Sequence, residues 1–151
     1  MQTRFDLERF VAAQAPVYET ALQELLAGRK KSHWMWFVFP QLAGLGHSAR
    51  AAFYGIEGKE EAAAYMAHPV LGPRLVECTR AVMKHARNWH DVHEIFGSPD
   101  DLKFLSSITL FSRARPTDPV FAEALEKIYG GIGCQKTLEK LRLAFIESLD
   151  G

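Results

Sequence analysis

The sequence predicts an all-α fold: a single compact domain of short helices that spans residues 1–151. Apolar residues recur at helical spacing in several segments, most clearly at Ala21, Leu22, Leu25 and Leu26. Capping residues and glycine or proline stops follow one another at intervals that fit short helices and not alternating strands. With 151 residues, 48% of them hydrophobic, the chain can bury one core without disulfides or metals. We therefore expect about seven to ten helices.

The amino-terminal half of the chain contains signals for five helices. Asp6 is expected to cap the first helix, and Pro16 suits the first turn of the second. The aromatic run over 34–39 is apolar on every side, so it fits either a buried strand or a short helix, and we expect a helical or 3₁₀ turn. Ser48 is expected to cap a fourth helix, and an alanine-rich fifth helix is predicted over 59–66.

The carboxyl-terminal half is predicted to form five more helices. One runs over 74–86, and a short one begins at Asp91, whose spacing from Glu94 is that of a capping box. Ser98 is expected to cap the next helix, and Asp118 the one after it, which Gly130-Gly131 closes. The predicted core faces are Leu75, Cys78 and Val82, then Leu102, Leu105 and Ile108, and, in a last helix over 135–149, Leu138, Leu141, Phe145 and Leu149.

Charge and cysteine content exclude several classes of function. Eighteen basic and eighteen acidic residues give no net charge, so neither a nucleic acid polymer nor an anionic membrane is an expected partner. Cys78 and Cys134 are far apart without CxxC spacing, and we expect both to be free thiols. The sequence begins in amphipathic residues without an apolar signal segment, which favours a soluble cytoplasmic protein. We expect no cofactor.

Two local patterns have a functional and an ordinary interpretation. The turn over 44–49 fits the loose dinucleotide pattern G-x-G-x-x-A, but the following segment 60–66 is alanine-rich where a Rossmann unit needs a strand. The turn is then an ordinary one, or one whose free backbone N–H groups hold an anion. His90 and His93 are three residues apart, so on a helix both side chains could bind one metal ion, although Asp91 is expected to cap that helix. We interpret them as surface histidines and expect no metal.

The segment 28–41 is the strongest candidate for a site, because two of the three tryptophans lie there beside three cations, a histidine and a glutamine. It is either core with a solvated basic rim, or a pocket for a flat or anionic small molecule. Indole stacking would hold a base and the cations a phosphate, and His33 is the candidate proton carrier. The candidate ligand-binding residues are Arg29, Lys30, Ser32, Trp34, Trp36, Gln41, Ser48, Arg74, Lys103 and Ser107.

Several segments together resemble one known family: they are residues 28–41, 44–48, 68–75 and 103–111, with Thr137-Leu138. The family is the bacterial and fungal group of small helical proteins called domain of unknown function 1810, to which the name calpastatin is sometimes misapplied. The resemblance covers nearly the whole chain and implies a compact all-α fold with no established activity. Two positions depart from the family pattern, since Leu105 stands where arginine is expected and Cys134 where an acid is expected.

Two functions follow as hypotheses. The first is binding of a small anionic ligand, with hydrolysis of an N-glycosidic bond as the reaction if the chain is an enzyme. A similarity of pattern to small helical domains that cleave ADP-ribose-like nucleotides, in the aromatic, histidine and glutamine start, suggests that chemistry. The second is a protein-interaction or homodimerisation module that uses the same aromatic segment. The protein is accordingly expected to be a monomer or a homodimer.

Overall fold

The computed structural model describes residues 5–114 and 118–150, which form ten α-helices and no strand. None of the described helices has both the length and the apolarity needed to cross a bilayer. The helices are α1 (Glu8–Gln14), α2 (Tyr18–Leu26), α3 (Met35–Val38), α4 (Ala49–Phe53), α5 (Lys59–Ala67), α6 (Leu71–His85), α7 (Trp89–Phe96), α8 (Asp100–Ser112), α9 (Pro119–Tyr129) and α10 (Gln135–Asp150).

Helix α8 is the central element, packed against α5, α7, α9 and α10. Every residue over 106–111 is buried, because helices surround it on several sides. Two of the hydroxyls along it bond back to their own helix: Thr109 Oγ1 donates to the Leu105 carbonyl at 2.7 Å, and Ser106 Oγ to the Leu102 carbonyl at 3.1 Å. Small residues whose hydroxyls are satisfied in this way let the neighbouring helices approach α8 closely.

Helix α6 is the second buried element and contacts α2, α5, α7 and α9. Leu75, Cys78 and Val82 face the core, as their spacing predicts. The α8 and α6 helices thus share the neighbours α5, α7 and α9, and the core lies between them.

The connection from α3 to α5 is closed by an isolated parallel bridge between Leu42 and Ile56. The Ala43 N–H donates to the Ile56 carbonyl at 2.7 Å, and the Ile56 N–H to the Gln41 carbonyl at 2.9 Å. These bonds tie both ends of the segment that holds α4 and the glycine turn. The turn is therefore fixed beside the aromatic helix α3.

Several predicted local structures are confirmed. The aromatic run forms the helix α3 and not a strand. The Ser48 hydroxyl caps α4 by accepting from the Ala51 N–H at 3.1 Å, and Asp118 Oδ1 caps α9 by accepting from the Val120 N–H at 2.9 Å. Gly130 ends α9 in the left-handed conformation, with φ of 63°. Each of these structures depends on contacts within a few residues.

Five predicted helix starts were wrong. Helix α2 begins at Tyr18, so Pro16 precedes the helix and does not lie in its first turn. Helix α1 follows Leu7 and has no side-chain cap, so Asp6 does not cap it. Helix α7 begins at Trp89 because Asn88 Oδ1 accepts from the Asp91 N–H at 3.0 Å, so Asp91 lies inside the first turn. Pro99, not Ser98, precedes α8, and no side chain caps that helix. Helix α6 begins at Leu71, three residues before the predicted start, since a proline in the first turn costs no hydrogen bond.

Two predicted core faces also need correction. Leu102 is 62% exposed, whereas Ile108 is fully buried, because the first turn of α8 projects beyond its packed neighbours. Of the four residues predicted to face the core from α10, only Leu141 is buried, and Phe145 and Leu149 are 63% and 69% exposed. Helical spacing predicts which residues share a face but not how far along the helix its neighbours extend.

Candidate functional site

The loop between α2 and α3 is organised by one carboxylate, Glu24 on α2. Glu24 Oε1 accepts from the backbone N–H groups of Lys31 and Ser32 at 2.7 and 3.0 Å, and Oε2 accepts from the Ser32 hydroxyl at 2.6 Å. The indole N–H of Trp34 also donates to Oε1, at 3.0 Å. Partial burial raises the pKa of Glu24, but these hydrogen bonds outweigh burial and lower the pKa to about 2.

Trp34 belongs to the core. It is 1% exposed, its ring lies against Phe39 and Phe96, and its only polar atom is bonded to Glu24. Ser32, bonded to the same carboxylate, acts as part of the loop. Both residues therefore position their neighbours and present no free polar group to a ligand.

Trp36 is the half-buried indole of the segment, and two cations contact its ring. The Arg50 guanidinium carbon lies 4.9 Å from the ring centroid, and Lys103 Nζ lies 5.2 Å from it. Arg50 comes from α4 and Lys103 from α8, so three separate helices meet at this ring. Cation–π contacts of this geometry are electrostatically favourable at a partly exposed ring.

Asp100 joins two of the predicted cations. Lys30 Nζ lies 2.9 Å from Asp100 Oδ2, and Lys103 Nζ lies 3.5 Å from Oδ1. Lys30 Nζ also lies 5.2 Å from the centroid of the Trp34 ring, and its side chain is only 7% exposed. Lys30 is therefore largely neutralised within the protein, whereas Lys103 reaches the surface beside Trp36.

Gln41 and the glycine turn lie next to α4. A Cβ built on Gly46 would lie 2.6 Å from the Cβ of Ala51 and 3.3 Å from Gln41 Nε2, so only glycine allows this approach. At Gly44 a Cβ would lie 3.0 Å from Lys140 Nζ, which places that ammonium group against the turn. We call Trp36 with Arg50 and Lys103 the Trp36 surface, and Gln41 and Lys140 border the turn over 44–46 that precedes α4.

The remaining predicted site residues lie elsewhere. Arg74 Nη1 donates to Gln14 Oε1 at 3.3 Å, and its guanidinium carbon lies 4.5 Å from the Tyr18 ring, so Arg74 packs against α1 and α2. Ser107 is fully buried in α8, where its hydroxyl has no partner among the described residues. Arg29 and His33 are exposed in the loop before α3. Ser48 is used as the cap of α4.

Four functional positions escaped the sequence reasoning: Glu24, Arg50, Asp100 and Lys140. Asp100 had a local signal, because an acid three residues before Lys103 on a helix can pair with it. Glu24 and Arg50 are separated from their partners by loops, and Lys140 is nearly a hundred positions from Gly44 along the chain. Only the folded chain brings these pairs together.

Two cavities in the described part of the chain contain none of the predicted site residues. One, of about 860 Å³, is a groove lined by Leu22, Leu26, Met66 and Val76. The other, of about 710 Å³, lies along α10. The Trp36 surface lies outside both cavities and is an open cluster of side chains, not a deep pocket.

His93, predicted as a surface histidine, is exposed and pairs with Asp101, with 3.0 Å between Nδ1 and Oδ2.

Comparisons with known proteins agree with the fold. The crystal structure of the conserved hypothetical protein Rv1873 from Mycobacterium tuberculosis, at 1.38 Å, matches this chain with a TM-score of 0.87 and 54% identity. The match covers 93% of this chain and 99% of that one. No curated protein matches the sequence. The family described as protein of unknown function (DUF1810) matches residues 4–141, and the chain belongs to that family.

Proposed function

We propose that the chain binds a small anionic ligand with a flat aromatic group, of the nucleotide or ADP-ribose kind, at the Trp36 surface. The observation that carries the proposal is the contact of two cations from different helices, Arg50 and Lys103, with one half-buried indole. A flat ring can stack on the indole, and the cations can take the phosphate.

The local charge supports an anion. Arg50 and Lys103 contribute two positive charges at the Trp36 ring, and Asp100, which pairs with both Lys103 and Lys30, contributes one negative charge, so the charge beside the ring is net positive. Arg50 makes no ion pair with any carboxylate of the described residues. Because the whole chain has no net charge, this field is local and will be screened by salt.

The Arg50 guanidinium can exchange its contact with the indole for a contact with the phosphate of a ligand. Arg50 is exposed, so its guanidinium can leave the indole for a phosphate without losing a salt bridge. A nucleobase then replaces the cation on the ring. The Gln41 amide beside Gly46 is a suitable donor and acceptor for a base or a ribose, since it can do both.

The arrangement supports binding more than hydrolysis. Both carboxylate oxygens of Asp100 are engaged, since Oδ2 lies 2.9 Å from Lys30 Nζ and Oδ1 lies 3.5 Å from Lys103 Nζ. His33, the predicted proton carrier, is exposed and makes no hydrogen bond, ion pair or ring contact with the Trp36 surface within the described residues. Hydrolysis of an N-glycosidic bond is therefore secondary to binding in this proposal.

The interaction module is the weaker alternative. Trp34, Met35, Val38 and Phe39 are buried within the protomer, so little of the aromatic segment is left to form an interface. Two protomers docked on Trp36 would also bring together two clusters of the same positive charge.

Calorimetric titration with ADP, adenosine and pyrophosphate tests the proposal, since these probes separate the base from the phosphates. ADP is expected to bind more tightly than either fragment, and affinity is expected to fall as salt is raised. Trp36→Ala should weaken ADP binding by about tenfold or more, the effect of losing one stacking platform, and Trp36→Phe should retain most of the affinity. Arg50→Gln and Lys103→Gln should act chiefly on the phosphate part.

Trp89→Ala and Arg142→Gln are matched controls, because Trp89 is 65% exposed on α7 and, among the described residues, Arg142 pairs only with Glu139 in the same helix. Both should bind ADP as the unchanged chain does. Failure of ADP to bind at low salt, or equal binding by Trp36→Ala, would overturn the proposal. A concentration-dependent dimer that Trp36→Ala abolishes would favour the interaction module instead.

A further inference from the structure

Cys134 occupies the N-cap of the long helix α10. Its carbonyl accepts from the Leu138 N–H at 3.1 Å, the first hydrogen bond of that helix. The side chain is half-buried, so solvent reaches it. A helix N-terminus carries partial positive charge and unpaired N–H groups, which favour an anion at this position.

Helix α8 holds Cys134 in place from the other side. The Cys134 N–H donates to Thr109 Oγ1 at 2.9 Å, and the Ser106 hydroxyl donates to the cysteine sulfur at 3.3 Å. Ser106 has one hydroxyl hydrogen and two acceptors within reach, the sulfur and the Leu102 carbonyl. A negative charge on the sulfur would draw that hydrogen away from the carbonyl.

A second observation points to an occupant beside the sulfur. Thr137, in the first turn of α10, is fully buried, and its hydroxyl has no hydrogen-bond partner of ordinary geometry among the described residues. That hydroxyl is nevertheless close enough to Cys134 to stabilise negative charge there. An unpaired buried hydroxyl is costly, so an acceptor oxygen attached to the sulfur would satisfy it.

We propose that Cys134 is a peroxide-sensitive modification site, at which a hydroperoxide converts the thiolate into a sulfenic acid held by Thr137 and Ser106. The sulfur attacks the nearer peroxide oxygen, so that an S–O bond forms and the O–O bond breaks. The sulfur is oxidised by two electrons, and the peroxide is reduced to an alkoxide or hydroxide that takes a proton from water. The new oxygen lies where it can accept from the Thr137 hydroxyl.

The acidity of the thiol is consistent with this geometry. Partial burial raises the pKa of Cys134, but the Ser106 hydroxyl, the nearby Thr137 hydroxyl and the N–H groups of Thr137 and Lys136 outweigh burial and bring the pKa below its ordinary value. Ser106 also lies three residues beyond Lys103 on the same face of α8, so the site is near the Trp36 surface but does not depend on its function.

Cys78 is a built-in control within the same chain. It is fully buried on α6, and burial raises its pKa to about 12. Its thiol lies 3.8 Å from the Tyr18 hydroxyl and has no solvent access. Cys78 should therefore resist both alkylation and oxidation.

Alkylation and oxidation of the full chain test the proposal. Iodoacetamide labelling across a pH series, followed by peptide mass spectrometry, should show Cys134 reacting at least about tenfold faster than Cys78 at neutral pH. Its pH midpoint should lie below that of a cysteine in the urea-unfolded chain. Hydrogen peroxide followed by dimedone should label Cys134 and leave Cys78 unlabelled.

Thr137→Val and Ser106→Ala test the two hydroxyls. Thr137→Val preserves shape and removes an unpaired group, so it should fold, and each variant should raise the pH midpoint and slow peroxide labelling. The proposal is overturned if the folded Cys134 reacts no faster than the unfolded cysteine, or if both variants leave its midpoint unchanged. The comparison of folded with unfolded wild type remains decisive should either variant fail to fold.

Discussion

The indole N–H of Trp34 donates a hydrogen bond to the carboxylate of Glu24 at 3.0 Å. The same carboxylate accepts hydrogen bonds from the backbone N–H groups of Lys31 and Ser32, in the loop between the two residues. The bond from the indole lets the largest side chain of the core be buried without an unsatisfied donor. It also fixes the path of the chain into α3, and therefore the position of Trp36.

Replacement of Glu24 should make the protein less sensitive to acid. The folded pKa is lowered from 4.5 to about 2, so the carboxylate stabilises the fold fully above pH 4.5 and loses that contribution as the pH falls towards 2. Glu24→Gln should reduce the free energy of unfolding by about 1–3 kcal/mol at neutral pH, because charge-assisted hydrogen bonds are lost. Urea unfolding over this pH range should give a flatter profile for Glu24→Gln, with Glu19→Gln as the control on the exposed side of α2. Parallel profiles for Glu24→Gln and wild type would contradict the assignment.

The three tryptophans should differ strongly in their contributions to stability. Trp34→Ala should cost about 3–5 kcal/mol, because it empties a fully buried site. Trp36→Ala should cost about 1–2 kcal/mol, since part of the ring is already in water. Trp89, 65% exposed, should change stability by less than about 0.5 kcal/mol when replaced by alanine. Equal losses for Trp34 and Trp36 in urea unfolding would show that Trp36 is core.

The ion pair between Arg9 and Glu61 should be essential to the fold. Glu61 is 2% exposed and accepts from Arg9 Nη2 at 3.0 Å and from the Glu57 N–H at 2.8 Å. Glu61→Ala should cost about 3–5 kcal/mol, because it leaves a nearly buried guanidinium without its carboxylate. Glu123→Ala, at an exposed position of α9, is the control and should stay within about 0.5 kcal/mol of wild type. A loss at Glu61 no larger than that at Glu123 would mean that water compensates Arg9.

Gly72 should not tolerate a side chain. A Cβ there would lie 2.2 Å from the Met66 carbonyl oxygen, where α6 starts against the end of α5. Gly72→Ala should therefore cost about 1–3 kcal/mol or more, because backbone must move. Gly58→Ala is the matched control, since a Cβ at Gly58 meets nothing within 4 Å and its φ of 172° is extended. Thermal unfolding that gives the two variants the same midpoint would disprove the close approach.

The helical architecture could be predicted from the amino-acid sequence, because the signals that start and end helices are local. Asp118 caps α9, Gly130 ends it, and the aromatic run forms α3, each through bonds within a few residues. The free state of Cys78 and Cys134 also follows from composition. Helix starts at Asn88 and Leu71 were misplaced, because more than one nearby residue can open a helix and packing selects among them.

Tertiary structure alone decided which side chains meet. Arg50 and Lys103 contact Trp36 because the Leu42–Ile56 bridge closes the segment that holds α4 and because α8 brings Lys103 to the same ring. Arg74, expected at the same site, packs on Tyr18 instead. Loop closure and helix packing set these distances, and neither leaves a periodic signal in the sequence. The candidate site was therefore predictable in its segment and residue types, but not in its members.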